Sequence, residues 1–70
     1  MKGGGFMKRV YACLLGNWID ITNEGLLHNR NPLTYINEEI QDMFEYDYIN
    51  VQYDNKNYRI HPSLIQVVSE

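Results

Sequence analysis

Polar and apolar residues alternate along this chain with two different periods, and the switches between them mark its elements. Lys8 to Leu15, KRVYACLL, is mostly apolar after its first two residues. Val10, Tyr11 and Cys13 favour extended backbone, so this stretch predicts a central strand. Gly16-Asn17 reads as a two-residue hairpin turn. Trp18 to Thr22 then forms a second strand, with Ile19 and Ile21 on one face and Trp18 and Asp20 on the other. The aliphatic pair is expected inward, which leaves Trp18 partly exposed or covering one end of a barrel. Asn23-Glu24-Gly25 ends the strand, and Gly25 to Pro32 reads as a loop with Leu26 and Leu27 tucked beneath it.

The period changes at NPLTYINEEIQDMFEY. Asn31 is a good N-cap and Pro32 suits the first helical position. Leu33, Ile36, Ile40, Met43 and Phe44 follow the three-and-four spacing of one helical stripe, predicting a helix over about residues 32–45. Glu38, Glu39, Asp42 and Glu45 then fall on the opposite face. Period two returns at YINVQY, with Ile49, Val51 and Tyr53 on one face. Asp54 to Asn57 is a turn, and Tyr58 to His61 is the returning strand, with Tyr58 and Ile60 inward. Pro62 stops it, because proline cannot donate to the ladder. Ser63 to Ile65 suits one short helical turn, and Gln66 to Val68 a last strand.

The expected order is strand, strand, helix, strand, strand, helical turn, strand. That is an α+β fold, a small ββαβββ sheet or barrel. Its expected core is Ile19, Ile21, Leu33, Ile36, Ile40, Phe44, Ile49, Val51, Ile60 and Val67. The C-terminal stretch INVQYDNKNYRIHPSLIQVV resembles the end of an SH3-like small barrel. Such barrels close with a hairpin, a short helical turn often begun by Pro-Ser, and a last strand, as in Pro62-Ser63 followed by Leu64-Ile65-Gln66-Val67. The resemblance covers under a third of the chain. The amphipathic helix departs from it, as does the lack of the aromatic pattern of proline-peptide-binding SH3 domains. It implies an architecture and carries over no binding residues.

Seventy residues suit one domain at residues 7–70, burying only about 60% of its unfolded surface. The single cysteine, Cys13, excludes an intrachain disulfide, and no Cys/His spacing suits zinc. Help from a partner chain is therefore expected, most simply a second copy. No apolar run approaches the roughly 20 residues of a membrane span. A free thiol without an export signal points to the cytoplasm. The glycine run at Met1–Phe6 reads as a leader or a flexible tail. The codons for Lys-Gly-Gly-Gly-Phe can spell a ribosome-binding sequence ahead of Met7, and with the AT-rich codon usage this suggests a bacterial or phage origin.

The net charge of −3 argues against a non-specific nucleic-acid binder. Its layout says more than its total. Between Asn31 and Asn55 there is no Lys or Arg, while Glu38, Glu39, Asp42, Glu45, Asp47 and Asp54 all lie there. Cys13 with His28 or His61 could make a nucleophile and base, but a thiol in an apolar strand is ordinarily inert. Asp20 beside Trp18 is one carboxylate and not a cation or sugar site. No phosphate loop, nucleophile elbow or paired-histidine motif is present, so neither an enzyme nor a cofactor is expected. What remains is an acidic, tyrosine-rich surface: Tyr35, Glu38, Glu39, Asp42, Glu45, Tyr46, Asp47 and Tyr48. It reads either as a solvated helix face or as a recognition surface for a basic protein, such as a host nucleic-acid-binding or defence protein that it would inhibit. The rival readings are a small nucleic-acid-binding barrel using Trp18, Lys8, Arg9, Arg30, Lys56 and Arg59, and a structural accessory subunit.

Overall fold

The computed structural model describes residues 8–69. The expected leader at Met1–Phe6 lies outside the described residues. The elements are β1 (Lys8–Leu14), β2 (Asn17–Asp20), β3 (Gly25–Leu27), α1 (Pro32–Met43), β4 (Ile49–Tyr53), β5 (Lys56–Ile60), a 3-10 turn (Pro62–Leu64) and β6 (Ile65–Ser69). The fold is α+β: two three-stranded antiparallel sheets, ordered β2-β1-β6 and β3-β4-β5, and one helix. β1 is the central strand of the first sheet, as its apolar run predicts. The β4–β5 hairpin, the 3-10 turn and β6 follow in the order that the small-barrel resemblance implies, and the arrangement is consistent with it.

One apolar cluster joins both sheets to the helix. Val10, Ala12 and Leu14 of β1 meet Ile49 and Val51 of β4, with Ile21, Leu27, Ile65 and the helical Tyr35, Ile36 and Met43. Ile19, Leu33, Ile60 and Val67, expected in the core, are only partly buried at its margin.

Two-residue turns set the β1–β2 and β4–β5 registers, and a third closes the Leu27–Arg30 bridge after β3. Leu15-Gly16, His28-Asn29 and Asp54-Asn55 each place both residues at positive φ, as a tight turn between right-twisted strands requires. The first lies one residue before the expected Gly16-Asn17, so Asn17 pairs with Leu14 and Cys13 with Trp18. Leu15 stands at φ 53 with 87% of its surface exposed, an unfavourable place for a leucine. Leu15→Asn is therefore expected to stabilise the fold by about 1 kcal/mol, raising Tm by roughly 4–8 °C. A lower Tm would show that Leu15 makes a contact its exposure hides.

Gly25–Leu27, expected as loop, is a strand: Gly25 pairs with Tyr53 and Leu27 with Val51. Only glycine fits the first position. A Cβ there would lie 2.9 Å from Ile21 Cβ and 3.0 Å from the Gln52 carbonyl oxygen, which is backbone and cannot swing aside. Gly25→Ala is expected to lose about 1–3 kcal/mol in a denaturant melt. An unchanged midpoint would mean that β3 can slide outward freely.

The helix begins where the sequence places it. The Asn31 side chain accepts from the Leu33 and Thr34 N–H groups at 3.0 and 3.2 Å, and Pro32 follows. Its roll about its own axis differs from the expected one. Pro32, Tyr35, Ile36 and Met43 face the core, whereas Ile40 is 40% and Phe44 62% exposed. Relative to the expected stripe, the buried set keeps Ile36 and Met43, gains Pro32 and Tyr35 and loses Ile40 and Phe44. Glu39 thereby falls on the buried side. It is half-buried, its backbone leaves helical geometry (φ −132, ψ 19), and its carboxylate accepts a hydrogen bond from Arg30 at 2.8 Å. Arg30 also binds Glu38, so the residue before the N-cap ties the Glu38–Glu39 side of α1 to the turn after β3. That tie and the burial of the Tyr35 ring explain the roll.

Candidate functional site

The roll of α1 decides what its solvent face offers. Helical spacing puts Leu33, Ile40 and Phe44 along one flank, and Glu38, Asp42 and Glu45 along the other, with Asn37 and Gln41 between them. Ile40, Phe44, Glu38, Asp42 and Glu45 are all exposed. The chain continues through Tyr46, Asp47 and Tyr48, also exposed, before β4 begins. The face is therefore amphipathic, with an apolar strip and an acidic strip on either side of the neutral Asn37 and Gln41.

Tyr35, expected on this surface, is 1% exposed and belongs to the core, because the roll turns it inward. Its hydroxyl is buried with no hydrogen-bond partner among the described residues, as is His28 Nε2. The two rings lie 5.4 Å apart, and the His28 ring also meets Tyr46, with centroids 5.5 Å apart. Burial, reinforced by the Glu39 carboxylate, pushes the Tyr35 phenol up to about 12. Tyr46 thus keeps part of its ring at the surface while the rest closes over His28. Tyr48 lies under Arg59, whose guanidinium carbon sits 4.8 Å from the ring centroid. Such a stacked cation holds the tyrosine in place while leaving it 55% exposed.

The acidic strip is partly neutralised. Arg30 engages Glu38 at 2.5 Å and Glu39 at 2.8 Å, and those carboxylates hold its guanidinium above its usual pKa. Among the described residues no ion pair engages Asp42, Glu45 or Asp47. These carry the net negative field of the surface. Ile40 and Phe44 are the surface residues that sequence reasoning assigned to the core. The signal that could have found them is Glu39, which falls on the buried side of the helix with Arg30 nine residues upstream to receive it.

The basic residues of the rival surface lie on separate elements. Lys8 and Arg9 begin β1, Arg30 precedes α1, and Lys56 and Arg59 lie in β5. Arg9 pairs with Asp20 at 3.6 Å, Arg30 with the helix, and Arg59 with Tyr48. Trp18 is 51% exposed on the outer face of the first sheet. Asp20 has a structural task. Its carboxylate accepts from the Thr22 hydroxyl at 2.6 Å and the Thr22 N–H at 3.0 Å, and these bonds, with Arg9, hold it below the usual carboxylate range. The Thr22 oxygen in turn accepts from the Val10 N–H, extending the β1 pairing past β2.

Cys13 is half-buried opposite Trp18, and the His61 ring is engaged by Ser63 at the head of the 3-10 turn. Among the described residues no His, Cys, Asp or Glu cluster could hold a metal ion, and no helix is long and apolar enough to cross a membrane. No known protein family, curated protein or solved structure matches the chain.

Proposed function

We propose that this protein is a non-catalytic interaction protein that binds a basic protein partner on the solvent face of α1 and the turn after it. The observation that carries the reading is the exposure of Ile40 and Phe44 on the same face as Asp42, Glu45 and Asp47, which have no ion pair among the described residues. An apolar strip left on the surface of so small a chain is a recognition feature, and the carboxylates of that face select a positively charged partner and speed its encounter. Tyr46 and Tyr48 add amphipathic contact area held by His28 and Arg59. The partner of matching chemistry is a basic groove with apolar walls, such as one that holds nucleic-acid phosphates. Carboxylates seated there would compete with phosphates and inhibit that protein. In a bacterium or its phage, this is the chemistry of an inhibitor of a host nucleic-acid-binding or defence protein.

The rival nucleic-acid reading is weaker, because Arg9, Arg30 and Arg59 already have acidic or aromatic partners. The test is affinity capture from bacterial lysate with the wild-type chain and with Phe44→Asp, each checked for an unchanged melt. The reading expects a basic protein retained by the first and lost by the second. Equal capture by both would overturn it. Salt-sensitive binding of a labelled oligonucleotide by the wild-type chain would favour the rival.

A further inference from the structure

The outer face of the sheet β3-β4-β5 carries polar side chains that the fold does not use. Leu26 stands opposite Gln52, and Gln52 opposite Asn57. Leu27 and Val51 beside them are buried, so by alternation this row faces outward. Gly25 pairs with Tyr53, which brings Glu24 to the same end of the sheet as the Asp54-Asn55 turn. Together with Tyr53 and Lys56, these residues line an open cleft of about 340 Å³, at the lower end of the range for small-molecule sites. Among the described residues, the side chains of Glu24, Gln52, Asp54, Asn55, Lys56 and Asn57 make no hydrogen bond and no ion pair.

We propose that this cleft binds a neutral oligosaccharide, a function separate from that of the helix face. Its donors and acceptors are spread out and do not converge on a point. Neighbouring strands lie about 4.8 Å apart, so the floor from Leu26 to Asn57 extends about 10 Å. A calcium ion needs about six to eight oxygens gathered around one centre, and the Lys56 ammonium opposes any cation here. A phosphate or a nucleic acid meets Glu24 and Asp54 against one ammonium. Glu24 also borders the Arg9–Asp20 pair, which leaves the cleft without a strong field of either sign. An apolar ligand finds Leu26 and Tyr53 and little else. What fits is an uncharged ligand with hydrogen-bonding groups at intervals along its length. A sugar hydroxyl both donates and accepts, and so does each side-chain amide. Gln52, Asn55 and Asn57 can therefore meet successive hydroxyls, Glu24 and Asp54 can accept from others, and Lys56 can donate to a sugar oxygen. Leu26 supplies apolar area against which the C–H face of a sugar ring packs. The cleft is shallow and open, so the dissociation constant is on the order of millimolar.

The experiment is titration of the isotope-labelled full chain with maltotriose, cellotriose, mannotriose and chitotriose, each to about 20 mM, read by backbone amide chemical shifts. At least one sugar is expected to move the amides of Glu24, Leu26, Gln52 and Asn57 in a saturable way and to leave those of α1 in place. Gln52→Ala and Asn57→Ala should each weaken that binding about tenfold, the loss of a hydrogen-bonding amide. Asn57 is exposed on β5, so its variant keeps the fold and carries the test even where Gln52→Ala loosens the sheet. Asp42→Asn, on the helix face, should bind as the wild type does, so the result is independent of partner capture there. The absence of a saturable shift at the cleft with every sugar would overturn the proposal. So would wild-type affinity in the Asn57→Ala chain, or shifts confined to another surface. Cleft amides moved by calcium chloride or oligothymidylate but by no sugar would overturn it in favour of a cation or a nucleic acid.

Discussion

Replacing Tyr35 with Ala is expected to destabilise the fold by about 3–5 kcal/mol, much of what a domain of this size possesses. The ring is 1% exposed, packs against His28 and joins both sheets to the helix. Ile40→Ala is expected to change stability by less than about 1 kcal/mol, because Ile40 stands at the surface. The opposite order of effects would restore the unrolled helix, with Ile40 in the core and Tyr35 outside. Tyr35→Phe separates the ring from its hydroxyl. The hydroxyl is buried with no partner among the described residues, so its removal should raise stability by about 1 kcal/mol. The same pair gives a pH test. The folded phenol titrates at about 12, above the roughly 10 of an unfolded tyrosine. A group raised in the folded state contributes fully below the unfolded value, and the contribution is lost as pH climbs through the folded one. The wild-type chain should therefore lose stability between about pH 10 and about pH 12 more steeply than Tyr35→Phe. Urea midpoints of both proteins at pH 8 and pH 11 would show it, and parallel losses would place the phenol in water.

The parts of the fold legible in the sequence are those written in local chemistry. Asn31-Pro32 marks the helix start by capping and fixed φ, and the Ile49–Val51 alternation marks β4. Pro62-Ser63 marks the 3-10 turn. β3 was not legible, since Gly25–Leu27 becomes a strand only by pairing with residues more than twenty positions away. The roll of α1 was hidden for a different reason. The stripe from Leu33 to Phe44 is more apolar than the face that is buried, so a hydrophobic period alone selects it. What outweighs it is a bulky tyrosine that fits the core and an arginine that draws in Glu38 and Glu39. The candidate surface inherits that difference. Its exposed charges and Tyr46 and Tyr48 were readable, while the apolar strip of Ile40 and Phe44 depended on the roll.

Phe44→Ala is expected to weaken partner binding about 30-fold, the effect of losing an anchor worth roughly 2 kcal/mol. Phe44 is 62% exposed at the helix C-cap, so the loss should leave the melt unchanged. The change should appear as faster dissociation, since a desolvated ring acts on the bound state. Tyr48→Ala should act in the same way and more weakly, because Arg59 already occupies one face of that ring.

The most direct test of the account is the association rate of the captured partner as a function of salt. It is measured for the wild-type chain and for a variant carrying Asp42→Asn, Glu45→Gln and Asp47→Asn. These three carboxylates have no ion pair among the described residues, so the fold should be unaffected. The wild-type rate should fall steeply as salt rises past about 0.15 M, and the variant should start at least tenfold slower at low salt with a nearly flat dependence. Identical rates and identical salt dependence in the two proteins would contradict the account and reduce the acidic strip to a solvated face.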